Sequence, residues 1–221
     1  MARDIPSIVI GGQEDYKRLY YSDPNAARKV PVTTMAGYGA LKMGTAMAKN
    51  GSAAGGVGKL IPYDPTAVTG AEDAHVRAYL VQNSGTGATV LYVTLNDSYK
   101  FAVGDDVYIH DNTTTAENLG AITGIDRTTY THMAAITVTT ASGGTSFTTA
   151  RFAYLAIEGF DTCVGILEKS IDTGTGVNAK GALATLIRGN AVLYTGMLTN
   201  FDAAAIVDRS ATSWGQFTDL T

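Results

Sequence analysis

Gly55-Gly56-Val57-Gly58-Lys59-Leu60 carries the glycines and the lysine of a loop that grips phosphate. Such a loop turns backbone N–H groups and one ammonium onto the phosphates and follows the lysine with a hydroxyl for Mg²⁺. Here the leading glycine's place holds Ala53 and the hydroxyl's place holds Leu60, so the segment reads as a turn. Asp105, Asp106, Asp111 and Glu117 lie close in sequence, with Thr113 and Thr115 in the second and third ligand places after Asp111. Calcium loops need oxygen ligands at tight spacing. A solvated turn is the plainer reading of this stretch, with a bound cation as its alternative. The histidines, His75, His110 and His132, form no His-x-x-x-His pair and meet no Cys-x-x-Cys set. They read as exposed or cross-strand packing residues, with His110 on the polar side of its strand. No Gly-x-Ser-x-Gly elbow is present, and nothing nominates a carboxylate pair. The expectation is a protein that is not an enzyme and needs no cofactor or metal.

Composition narrows the class. The 221 residues suit one ordinary domain plus a second small one. Apolar residues make up 45% of the chain and charged residues 16%, against a usual charged share of about 25%. A surface so low in charge suggests cover by partners. A net charge of −4 and a pI near 5.3 give no basic patch, so nucleic acid is not expected as a partner. The lone Cys163 excludes an intrachain disulfide and sits in an apolar run, where a buried, inert thiol is expected. Met1-Ala2-Arg3-Asp4-Ile5-Pro6 lacks an apolar leader core, and no run approaches the ~18 residues of a membrane span. Synthesis in a cytoplasm is therefore expected, with no membrane partner.

Three organisational units follow. Residues 1–30 are polar and without pattern, yet hold the adhesive side chains Ile8, Val9, Ile10, Tyr16, Tyr20 and Tyr21. Such a segment cannot bury enough surface to order itself. An arm that orders on a partner explains both facts, and a loose terminus is the plain alternative. Residues 31–71 and 158–221 read as two halves of one small β-domain. Residues 72–157 read as an inserted module of short alternating strands bounded by Gly, Asn, Asp or Ser, a small barrel or sandwich. The fold class is mainly β, with at most one or two short helices. The clearest helix is 200–207, capped by Asn200 or Asp202.

The segments Leu41-Lys42-Met43-Gly44-Thr45, Gly58-Lys59-Leu60-Ile61-Pro62-Tyr63-Asp64-Pro65-Thr66-Ala67, Val164-Gly165-Ile166-Leu167 and Ala184-Thr185-Leu186-Ile187-Arg188-Gly189 together resemble the lambda-type bacteriophage head decoration family. The module at 72–157 is a departure from its small members. Within it, the stretches 99–107, 116–126 and 136–139 resemble segments of phage structural proteins. The resemblance implies a β-rich, β-tulip-like base domain with an extended N-terminal arm. It implies a homotrimer at three-fold and quasi-three-fold points outside the expanded head. The partner would be the major capsid protein, the location the virion head surface, and the role capsid stabilisation. The arm residues Ile8, Val9, Ile10, Tyr16, Tyr20 and Tyr21 would then bind the shell by strand addition. Val164, Ile166, Leu186 and Arg188 would lie near the three-fold axis.

Two other classes remain open at this point. One is a phage tail or baseplate component, or a capsid-borne adhesin whose β module binds host glycans through Tyr99, Tyr108 or Tyr130. The other is a β-rich binding enzyme.

Overall fold

The computed structural model describes residues 19–20, 24–52, 56, 58–64, 76–111, 116–143 and 146–212. The chain is mainly β. Its strands run β1 Arg28–Thr33, β2 Ala40–Leu41, β3 Ala46–Lys49, β4 Leu60–Pro62, β5 Ala78–Tyr79 and β6 Val90–Thr94. They continue as β7 Asp106–His110, β8 Glu117–Asp126, β9 Met133–Val138, β10 Tyr154–Ile157, β11 Cys163–Leu167, β12 Ile171–Asp172 and β13 Leu183–Gly189. An α-helix spans Ala203–Thr212, and short 3-10 turns punctuate the loops.

Two sheets carry the architecture. A five-stranded sheet, in the order β1-β13-β11-β3-β4, is built from the two outer stretches of the chain. A six-stranded sheet, β5-β10-β7-β8-β9-β6, is built wholly from residues between them. Each sheet curls until its edges meet. In the first, Thr34, just past β1, bridges Leu60 of β4, and Met35 N donates to the Leu60 carbonyl at 2.9 Å. In the second, Leu80 bridges Val93, and Val81 N donates to the Tyr92 carbonyl at 2.9 Å. Closure of this kind hides the row of unpaired N–H and C=O groups that an open edge presents. Pro31 falls in β1, at the end of the strand order, where a missing N–H is tolerated.

The six-stranded barrel follows from sequence alternation. In β7 and β9 every second residue is buried, so Val107, Ile109, Ala134, Ile136 and Val138 fill the interior while Tyr108, His110 and Thr137 face outward. A period of two is what a strand with one covered face requires. β4 and β10 are buried along their whole length and β11 at all but Val164, and they read as continuous apolar runs instead. The buried apolar side chains of both sheets form one cluster.

Chain crossings between the sheets lie side by side. The outgoing crossing begins after Asp64 and the return arrives through Glu158 and Phe160. Asp64 N donates to the Phe160 carbonyl at 3.0 Å, and Gly51 N to the Glu158 carbonyl at 3.0 Å.

Two expectations shift in position. The arm assigned to residues 1–30 gives way earlier to folded chain. Leu19 and Tyr20 are in the core, and β1 begins at Arg28 as a strand of the first sheet. The physical reason is that Leu19 and Tyr20 are apolar enough to be captured, and the β13 edge needs a neighbour. The helix begins at Ala203 and runs past 207. Asp202 caps it, its Oδ1 accepting from Ala205 N at 2.8 Å.

Candidate functional site

One tie holds the N-terminal part of the chain to the first barrel. Tyr20 bridges Leu193, and its hydroxyl donates to Glu168 Oε1 at 3.1 Å. Lys29, on β1, reaches the same oxygen at 2.5 Å and lies 5.4 Å from the centre of the Tyr20 ring. Tyr20 is thereby 5% exposed. Its expected role as an arm contact is corrected to that of an anchor, because its ring and hydroxyl are both engaged within the fold. Ile8, Val9, Ile10, Tyr16 and Tyr21 lie outside the described residues.

The four residues expected at a trimer interface divide into two pairs. Ile166 and Leu186 are fully buried in the protomer's own core. Ile166 stands opposite Ile187, and Leu167 opposite Leu186. They have no surface to offer a second chain, which corrects their assignment. Val164 and Arg188 are half-exposed and sit under the C-terminal helix. There the Arg209 guanidinium donates to the Val164 carbonyl at 2.5 Å and to the Arg188 carbonyl. Asp208 accepts from Cys163 N at 2.9 Å. An Asp-Arg pair in an alanine-rich helix was the available signal for this clasp.

A second polar region joins the two barrels. Asp64, fully buried, takes the Arg77 guanidinium by both oxygens, with Nη2 to Oδ1 at 2.7 Å and Nε to Oδ2 at 2.9 Å. The same guanidinium lies 4.6 Å from the centre of the Tyr154 ring, and His110 stacks parallel to that ring with centroids 5.4 Å apart. Desolvation works to lower the Arg77 pKa, but Asp64 outweighs it and holds the group firmly charged. Lys100 adds a bond to the Arg77 carbonyl at 2.8 Å and pairs with Asp97 at 2.7 Å. Nearby, Ser52 after β3 accepts from Asp106 N at 3.0 Å. In the sequence Asp64 is one residue of a longer family-like segment, and nothing in the pattern singles out Arg77.

The residues considered for chemistry do not converge. Asp105 and Asp111 sit at opposite ends of β7 and are buried, not in a solvated turn, while Glu117 accepts from Gly143 N on the rim. Thr113 and Thr115 lie outside the described residues, as does His75. His132 is exposed, and Tyr130 packs edge-on against Tyr92 at 5.7 Å. Tyr99 lies under the Arg127 guanidinium at 4.6 Å. Tyr108, His110, Glu158, Phe160 and Asp161 line a cavity of about 290 Å³ beside the return crossing. Among the described residues, no group of three His, Cys, Asp or Glu side chains is placed to hold a metal ion. No helix among them is long and apolar enough to cross a membrane.

Cys163 is fully buried, and burial pushes its thiol up to about 12. The thiolate is the reactive form. A thiol reagent at neutral pH should therefore leave the native chain unmodified and label one site per chain only after denaturation. Labelling at the same rate in both states would contradict the burial.

The chain matches no protein-family model, and neither the curated proteins nor the solved structures include a significant match to it.

Proposed function

We propose that this chain is a decoration protein of a phage head. It binds the major capsid protein outside the expanded shell at three-fold and quasi-three-fold points, as a homotrimer, and stabilises the shell. The observation that carries this reading is topological. The Gly58–Ala67, Val164–Leu167 and Ala184–Gly189 segments, on which the family resemblance rests, supply β4, β11 and β13 of one sheet. Segments far apart in sequence that form one small barrel make a base, and the second barrel is carried on it as an insertion. Of the four residues expected near the three-fold axis, Val164 and Arg188 keep partly exposed side chains. Cementing needs no catalytic group. A molecule that binds the intact shell and not the broken one raises resistance to disruption by mass action.

The test is to compare heads with and without this protein, after co-sedimentation with expanded and unexpanded shells. Binding to expanded shells alone is expected, with decorated heads retaining DNA to a higher temperature. Equal retention by bare and decorated heads would refute the role and favour an adhesin instead. A protein that stays monomeric both in solution and on the shell would refute the trimer.

A further inference from the structure

At the joint between the barrels two polar atoms, Asp105 Oδ1 and Tyr38 Oη, are sealed from water without a hydrogen-bond partner among the described residues. Asp105 is fully buried and Tyr38 is 2% exposed. The other oxygen of Asp105 accepts from Ala102 N at 2.8 Å, and among the described residues Asp105 makes no ion pair.

The groups around this carboxyl come from three elements. Tyr38 arrives from the loop after β1, Asn50 and Ser52 from the end of β3, and Asp106 from the start of β7. Only Asp106 among them carries charge, and its sign is the same. Lys100, at the end of the 3-10 turn just before this loop, commits its ammonium to Asp97 and to the Arg77 carbonyl. A buried carboxylate with no cation is costly, whereas the neutral acid is not. The neutral acid also has an O–H to give, and a tyrosine oxygen has a lone pair to receive it.

We propose that Asp105 is held in the folded chain as a neutral carboxylic acid, and that loss of its proton loosens the joint between the two barrels. The same short loop carries two of the bonds that cross the joint. Asp106 N donates to Ser52 Oγ at 3.0 Å, and Ser52 Oγ donates to the Gly104 carbonyl at 3.4 Å. A charge appearing at Asp105 draws water or a cation into this space and strains both bonds. Burial, acting first, and the neighbouring Asp106 raise the Asp105 carboxyl above the ordinary aspartate range, against the Ala102 N–H donor. The Tyr38 phenol is raised as well, by burial and then by Asp105.

The sign of the pH effect follows. A folded chain that holds this proton more tightly than the unfolded one gains stability as pH falls, and loses that contribution as pH rises through the folded-state midpoint.

The experiment is a carboxyl-carbon NMR titration of Asp105 in the full chain, with melting curves of the parent and Asp105→Asn between about pH 4 and pH 9. The midpoint is expected above the ordinary aspartate range. The two chains should melt closest together in acid, with the parent falling behind Asp105→Asn as pH rises. A midpoint in or below the ordinary range, or a melting gap that does not change with pH, would overturn the proposal. Tyr38→Phe tests whether the acid also donates to the Tyr38 oxygen. It lowers the midpoint, by about one pH unit for a bond of ordinary strength, if the acid donates to Tyr38. An unchanged or raised midpoint would rule that contact out. If Asp105→Asn does not fold, the titrations of the parent and Tyr38→Phe decide alone.

Discussion

Arg77→Met is expected to destabilise the fold by about 3–5 kcal/mol, lowering the melting temperature by roughly 6–20 °C. The reason lies with the partner left behind. Asp64 is fully buried and its carboxylate is matched by the Arg77 guanidinium through two oxygens. Methionine fills much of the same space but supplies no charge and no donor. The buried carboxylate must then take up a proton or admit water, and either weakens the contact between barrels. The double variant Asp64→Leu/Arg77→Met should recover most of the loss, because replacing both members of a buried pair by apolar groups is often neutral. Urea denaturation of the two single variants and the double gives the coupling directly. If Arg77→Met unfolds within about 1 kcal/mol of the parent, this pair is not what holds the barrels together.

Gly44→Ala is the second large effect. Gly44 has φ +85°, and a Cβ there would overlap the Met197 carbonyl oxygen. The left-handed backbone costs an alanine about 1–2 kcal/mol, and displacing the 195–199 segment adds about 1–3 kcal/mol. That segment is bonded to Gly44 through Thr199 N at 3.0 Å, so it cannot yield alone. Gly87 provides the control, with φ +81° and nothing within 4 Å of a Cβ. Gly87→Ala should show only the backbone cost. Equal losses in the two variants would mean that the Met197 contact is unimportant.

The legible parts of this fold are those where one local rule acts alone. Val107 and Ile109, and Ala134, Ile136 and Val138, alternate with outward neighbours because each strand covers a core on one side only. Cys163 could be read as buried from its apolar neighbours. The start of β1 was harder. Arg28 and Lys29 look like solvated arm residues until Lys29 is seen beside Glu168 at 2.5 Å. The family resemblance implies a subunit interface at Ile166 and Leu186, but an apolar residue on a strand marks a buried face without saying whose core buries it. The joint was the least legible. Asp64 meets Arg77, Ser52 meets Asp106 and Tyr38 lies near Asp105, and none of these pairings has a spacing that sequence periodicity records.

Because the outgoing and returning crossings are bonded to each other, at Asp64 and Phe160, the second barrel is a payload on a carrier with a fixed socket. Another domain with neighbouring termini could be grafted between these points without stretching the carrier's own strands. The socket is not chemically blank, however. A graft that brings no guanidinium for Asp64 inherits a buried charge, so exchange of cargo in the laboratory or in evolution should travel with an Asp64 substitution or with an arginine that replaces Arg77.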